Sequence, residues 1–187
     1  MAGSSGRHLI LLRHAKSAWP EVPDHERPLA PRGKRDAPGA GRWLRKSGLV
    51  PDRVLCSTAR RARETWALAE DKLPAHPQVV FEPRVYGAST AELIELAHET
   101  PAGVRTLLIV GHDPGMQGLA LELAGADLGA DPGEHPDALA RVRAKFPTAA
   151  IAVLAFTGAW AGLGPGQARL ADFAVPAAYH SGGQDGT

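Results

Sequence analysis

The sequence predicts a single α/β domain in three layers, a mostly parallel sheet flanked by helices. Three observations lead there. Apolar runs of strand length recur along the 187 residues, several of them continuous rather than alternating, and helical patterns separate them. Strands covered on both faces and joined by helical crossovers carry that signature. The length suits one domain with a substantial core and is short for two.

Residues 9–12 form the first apolar run, which stops at Arg13 and His14. A helix follows with Ala37, Ala40, Trp43 and Leu44 on one face and a stop at Gly48; Pro38 is expected to kink or delay it. Next come a strand at 54–56, a helix over 62–73, a strand at 79–81 and a helix over 90–98 capped by Ser89 or Thr90. A strand at 107–110 leads to a helix over 116–123 that ends near Gly125. The segment "GADLGADPGE" (125–134) reads as a loop, and "HPDALARVRAKFP" as a short helix with Pro136 in its first turn. A strand at 151–156 and a weaker one at 168–175 complete the set. The domain is expected to occupy 8–176, with flexible ends at 1–7 and 177–187, the second Gly-rich and polar.

Composition narrows the function. Lys plus Arg (21) nearly balances Asp plus Glu (20), for a net charge of +1, so nothing favours a nucleic-acid partner, and affinity for anions must be local. The lone cysteine, Cys56, excludes an internal disulfide framework and a Cys-rich zinc site and fits a reducing compartment. The leading "MAGSSGR" lacks the apolar core of a signal peptide, and no apolar run approaches the roughly 18 residues of a membrane span. A cytoplasmic protein with no membrane partner is expected.

The chemistry concentrates at strand ends. In "HLILLRHAKS" a buried strand gives way to Arg13, His14, Ala15 and Lys16; in "RTLLIVGHDPGMQGLA" another gives way to Gly111 and His112, then to the turn Asp113-Pro114-Gly115. Ligands of open α/β sheets bind beyond the carboxyl ends of the strands, so if these two strands are neighbours, His14 and His112 share one crevice. Gly111 is expected to let a ligand or another backbone come close. In "VLCSTARRARETW" Arg60, Arg61 and Arg63 open a helix; a helix N-terminus favours anions, and one of these arginines is expected to face the crevice.

Two other chemistries find no support. A cysteine-dependent phosphatase needs arginine six positions after its cysteine, and that position holds Ala62. No HExxH motif or close His/Asp ligand set occurs, so no metal or other cofactor is expected; "DHE" (24–26) reads as surface.

Taken together, "RHAKS", "STARRARET" and "GHDPG" resemble the histidine phosphatase superfamily, which has the phosphoglycerate mutase-like fold. The small size and the "RPLAPRGKRDA" segment make the chain most similar to the SixA-type phosphohistidine phosphatase branch, from about His8 to about Phe173. The resemblance implies His14 as nucleophile, His112 as second active-site histidine, and Arg13 and Arg61 as phosphate-binding arginines. Lys16 is an additional expected phosphate contact, with Arg60 and Arg63 as flank. Ala15 stands where the wider family usually has Gly, and Asp113 where this branch often has Asn.

The implied activity is a metal-independent phosphatase that passes through a phosphohistidine intermediate and acts on phosphohistidine in proteins. Alternatives are a small-molecule phosphate ester phosphatase or mutase on the same fold, or a non-catalytic phosphate-binding regulatory module. The oligomeric state is open. The residue types suit this chemistry. A phosphoryl group in transfer spreads charge over three oxygens, which guanidinium groups can surround. A neutral imidazole is a nucleophile at neutral pH, and nearby guanidinium charges are expected to keep His14 neutral. Neither Glu82 nor Glu92 reads as a general acid. A site without one suits N-phosphorylated substrates, whose leaving nitrogen departs more readily than an alkoxide.

Overall fold

In β1 (Arg7–Arg13) the four residues from Leu9 to Leu12 are all fully buried. Their side chains alternate between two separate cores, Leu9 and Leu11 in one and Ile10 and Leu12 in the other. A strand with two buried faces must lie inside a sheet covered on both sides, and the computed structural model, described for residues 6–125 and 136–180, has that form.

Among the described residues the sheet has six strands: β1, β2 (Arg53–Cys56), β3 (Gln78–Phe81), β4 (Thr106–Gly111), β5 (Ile151–Phe156) and β6 (Arg169–Ala174), in the order β3-β2-β4-β1-β5-β6. The pairs β3/β2, β2/β4 and β4/β1 are parallel. β5 runs antiparallel to β1, and β6 antiparallel to β5. A mostly parallel three-layer α/β fold is what the residues predicted, and all six expected strands are present.

One face carries α1 (Pro31–Lys46) and α2 (Arg60–Glu70), which supply Ala40, Leu44, Ala62, Trp66 and Ala69 to that core. The other carries α3 (Thr90–His98), α4 (Gly115–Leu123) and α5 (Pro136–Ala144), with Leu93, Leu96, Met116, Leu119 and Val142 inward. The reading of Ser89 as cap of α3 is correct: it forms a capping box with Glu92.

Two expectations are corrected. Pro38 does not delay α1, which starts earlier, at Pro31, and runs through it. A proline inside a helix removes one backbone hydrogen bond, and packing outweighs that loss here. A Cβ on Gly41 would lie 2.0 Å from the Ala69 carbonyl oxygen, so α1 and α2 touch backbone to backbone. The second correction is the C-terminal boundary: residues 176–180 form α6 (Pro176–His180), and the Tyr179 hydroxyl donates to the Ala149 carbonyl at 2.6 Å. At the other end, Arg7 already belongs to β1. The expected loop at 126–134, the first residues and the final "SGGQDGT" lie outside the described residues.

Candidate active site

The parallel pairing of β1 with β4 places Arg13 opposite Gly111. The chain therefore leaves both strands at one level, and the His14 backbone N–H donates to the Gly111 carbonyl at 3.0 Å. β2 ends at the same edge, where the Ser57 N–H donates to the Val110 carbonyl at 3.0 Å. Three neighbouring strands thus deliver His14, Ser57 and His112 to one crevice, and α2 begins over it.

The loop after β1 is held from two sides. The Ala15 N–H donates to Thr65 Oγ1 at 2.9 Å, and that hydroxyl donates to the Arg61 carbonyl at 2.6 Å. The Ala30 N–H donates to the Lys16 carbonyl at 2.8 Å, and a Cβ on Gly33 would meet that same carbonyl oxygen at 2.1 Å. Ala15 has no exposed surface, so a small side chain is required where the wider family has glycine.

The rings of His14 and His112 lie 5.1 Å apart, centroid to centroid, at 52°. His14 Nδ1 is 2.7 Å from the Ala15 carbonyl oxygen, which only accepts, so Nδ1 carries the proton. The lone pair is then on Nε2, which receives the Arg61 Nε–H at 3.3 Å. In His112, Nδ1 accepts from Arg61 Nη2 at 3.4 Å, and Nε2 lies 2.7 Å from Ser57 Oγ. Burial, foremost, pushes the pKa of His14 down to about 3 and that of His112 down to about 4. Both rings are neutral at pH 7. The positive neighbours, Arg61 among them, act in the same direction but less strongly, so the main cause of neutrality is burial rather than the guanidinium charge expected from sequence.

Both candidate phosphate-binding arginines are braced by carboxylates. Arg61 Nη1 donates to the Asp24 carbonyl at 2.7 Å and Nη2 to Asp24 Oδ2 at 3.0 Å. Asp24 also accepts from the Tyr86 hydroxyl at 2.7 Å and from Arg27 Nη1 at 2.9 Å. The Tyr86 hydrogen bond, followed by that from Arg27, holds the Asp24 carboxyl well below the usual carboxylate range. Arg13 Nη1 donates to the Phe146 carbonyl at 2.7 Å and lies 3.1 Å from Asp113 Oδ2. Asp113 therefore serves Arg13, which gives a physical role to the departure from asparagine; burial raises its pKa and Arg13 partly opposes that.

His14, His112 and Arg61 are in mutual contact, with Arg13 close enough to bear on the charge of both histidines. Lys16, two residues after His14, is exposed. Arg60 pairs with Glu64 and Arg63 with the Thr58 carbonyl, both at the surface, as flanking residues should. Glu82 is bound to Arg84, and Glu92 closes the Ser89 cap.

One further correction follows. Gly111 makes room for core packing and not for a ligand: a Cβ there would meet Met116 Cε at 2.8 Å and Val85 Cγ1 at 3.3 Å. "DHE" lies at the surface as expected, with Asp24 and Glu26 exposed, but it is not idle, since Asp24 grips Arg61 and His25 Nε2 lies 2.9 Å from Thr58 Oγ1. Asp24, Ser57, Thr65 and Tyr86 are the site residues that sequence reasoning missed. For Asp24 the only available signal was an acidic residue beside arginine in a Pro-flanked loop. Cys56 is fully buried, and burial pushes its thiol up to about 12, so it is inert.

Residues 9–92 match the histidine phosphatase superfamily (branch 1). The uncharacterized protein Rv1276c of Mycobacterium tuberculosis is 45% identical over 166 residues, spanning 88% of this chain and 99% of its own length. The SixA structure from Nakamurella multipartitia is 36% identical with a TM-score of 0.79, covering 92% of this chain and 97% of that one. The protein histidine phosphatase SixA complexed with tungstate is 25% identical, with a TM-score of 0.67 over 91% of this chain and 98% of that one.

Proposed function

The chain belongs to the histidine phosphatase superfamily, in its SixA-type branch, and we propose that it removes phosphoryl groups from histidine side chains of proteins, with His14 as nucleophile and no metal. The single observation that carries this reading is the fixed tautomer of His14. Its Nδ1–H is held by the Ala15 carbonyl, so the Nε2 lone pair faces Arg61, with the His112 ring 5.1 Å away centroid to centroid. A related SixA carries tungstate, an oxyanion of phosphate shape and charge, which agrees with an oxyanion site in this branch.

In the first step the Nε2 lone pair of His14 forms a bond to phosphorus while the bond from phosphorus to the substrate nitrogen breaks. Arg13 and Arg61 surround the phosphoryl oxygens and their N–H groups stabilise the spreading charge, joined by His112 through the Nε2–H that faces Ser57 Oγ before the substrate arrives. Water then attacks the phosphohistidine, releases phosphate and restores neutral His14. Because His14 is neutral without help from a general base, the nucleophile is ready at physiological pH.

Two features favour a phosphorylated nitrogen on a protein. The carboxylates that could have protonated an alkoxide from the third strand's loop, Glu82 and Glu92, are committed to Arg84 and Ser89. A groove of about 860 Å³ beside the site, lined by His25, Thr58, Arg63 and Phe81 among others, gives room for a chain segment flanking the modified histidine. The reducing interior of the cell is the proposed setting; among the described residues no helix is long and apolar enough to cross a membrane.

The test is turnover of a phosphohistidine-bearing protein beside sugar phosphates and nucleotides, with and without chelator. Preferred hydrolysis of the protein, unchanged by chelator, supports the reading. Preference for a sugar phosphate moves the assignment to small-molecule phosphatases, and no turnover of any member moves it to a binding module.

A further inference from the structure

Asp24 stands at the mouth of the site in a short 3-10 turn, Asp24–Glu26, with half of its side chain exposed. Its Oδ2 and its carbonyl oxygen both rest on the guanidinium that also touches His14 Nε2 and His112 Nδ1. The carboxylate is therefore one guanidinium away from the attacking nitrogen. Flat rings wall the same mouth: Tyr86 lies edge-on to His112 at 5.5 Å and to His25 at 4.9 Å. An ionised carboxylate beside a phosphate site repels a phosphoryl group. Oδ2 already accepts from Arg61 and Tyr86, whereas Oδ1 accepts, among the described residues, only from Arg27 and keeps a lone pair that a substrate N–H can meet.

We propose that Asp24 is a catalytic and specificity-determining residue whose carboxylate accepts the remaining ring N–H of the departing histidine. The inference rests on the reading of phosphohistidine as substrate. With Nε2 of the substrate ring bonded to phosphorus and Nδ1 protonated, or the reverse, the ring carries a positive charge, and Asp24 favours that form. As His14 takes the phosphoryl group, the electron pair of the breaking P–N bond stays on the leaving nitrogen. The ring departs as neutral imidazole, keeps its proton, and needs no acid from the enzyme. An alkoxide would need a proton that ionised Asp24 does not have. The carboxylate thus selects leaving groups that carry their own.

The experiment compares phosphoimidazole with p-nitrophenyl phosphate, whose leaving group departs as a stable anion, in the wild type and in Asp24→Asn. Any displacement of Arg61 slows both substrates alike, so the ratio of the two kcat/KM values isolates the contact to the leaving ring. That ratio should fall about tenfold or more in the variant. Equal losses on both substrates would overturn the inference and leave Asp24 as a brace for Arg61. A wild type that cleaves the aryl phosphate but not phosphoimidazole would instead overturn the reading of the substrate. Circular dichroism checks that the variant is folded, and Asp24→Ser gives the same ratio if the Asn protein is not.

Discussion

Replacing His14 by Gln should flatten the pH dependence of stability by a predictable amount. His14 is 7% exposed, and burial holds its pKa at about 3, against about 6.5 in the unfolded chain. Between those two values the unfolded chain binds a proton that the folded protein refuses. The stability is therefore complete above pH 6.5, declines as the pH falls, and levels off only near pH 3. From pH 8 to pH 5 the loss from this one ring is about 2 kcal/mol. For a domain of this length that equals roughly 4–8 °C in Tm. His112, pushed down to about 4, adds a similar amount, which remains in the variant. Thermal and urea melts at pH 8 and pH 5 should show the wild type losing about 2 kcal/mol more than His14→Gln, because all other titrations are common to both. Equal losses in the two proteins would mean that His14 titrates like a solvated histidine, and the account of its neutrality would be wrong.

Arg61→Ala should lower kcat/KM for an aryl phosphate by about 10²-fold or more, the scale for one preorganised donor; a loss under about threefold would shift the role to another arginine. Thr65→Val should leave the Ala15 N–H without its acceptor, costing about 1–3 kcal/mol in urea melts and reducing activity through the loosened His14 loop. A melt curve matching the wild type would show that the hydroxyl does not hold the loop. Gly41→Ala drives a methyl group against the Ala69 carbonyl and should lower stability by about 2 kcal/mol or more; an unchanged Tm would mean that α1 and α2 separate at little cost.

The frame of the fold was legible because its strands are apolar on both faces, as Leu9 to Leu12 illustrate with two residues for each core. The shared crevice was also legible, since β1 and β4 both stop at a histidine and prove to be neighbours. Local signals failed where tertiary contacts decided the outcome. Pro38 has an unfavourable helix propensity, yet the contact of Gly41 with Ala69 and of Gly39 with Tyr179 holds α1 through it. Asp24 lies 37 residues from Arg61 in sequence, and no periodicity links an acidic residue in an irregular loop to a helix start. Tyr86 was hidden for the same reason. Gly111 was visible but misread, because a missing side chain says that something approaches and not which side it comes from.

The central claim, that His14 receives the phosphoryl group, is tested most directly by quenching the enzyme during turnover and locating the bound phosphate. The account predicts a base-stable, acid-labile adduct on His14 that disappears in His14→Ala. An acid-stable adduct on Ser57 or another hydroxyl, or full turnover by His14→Ala, would contradict it.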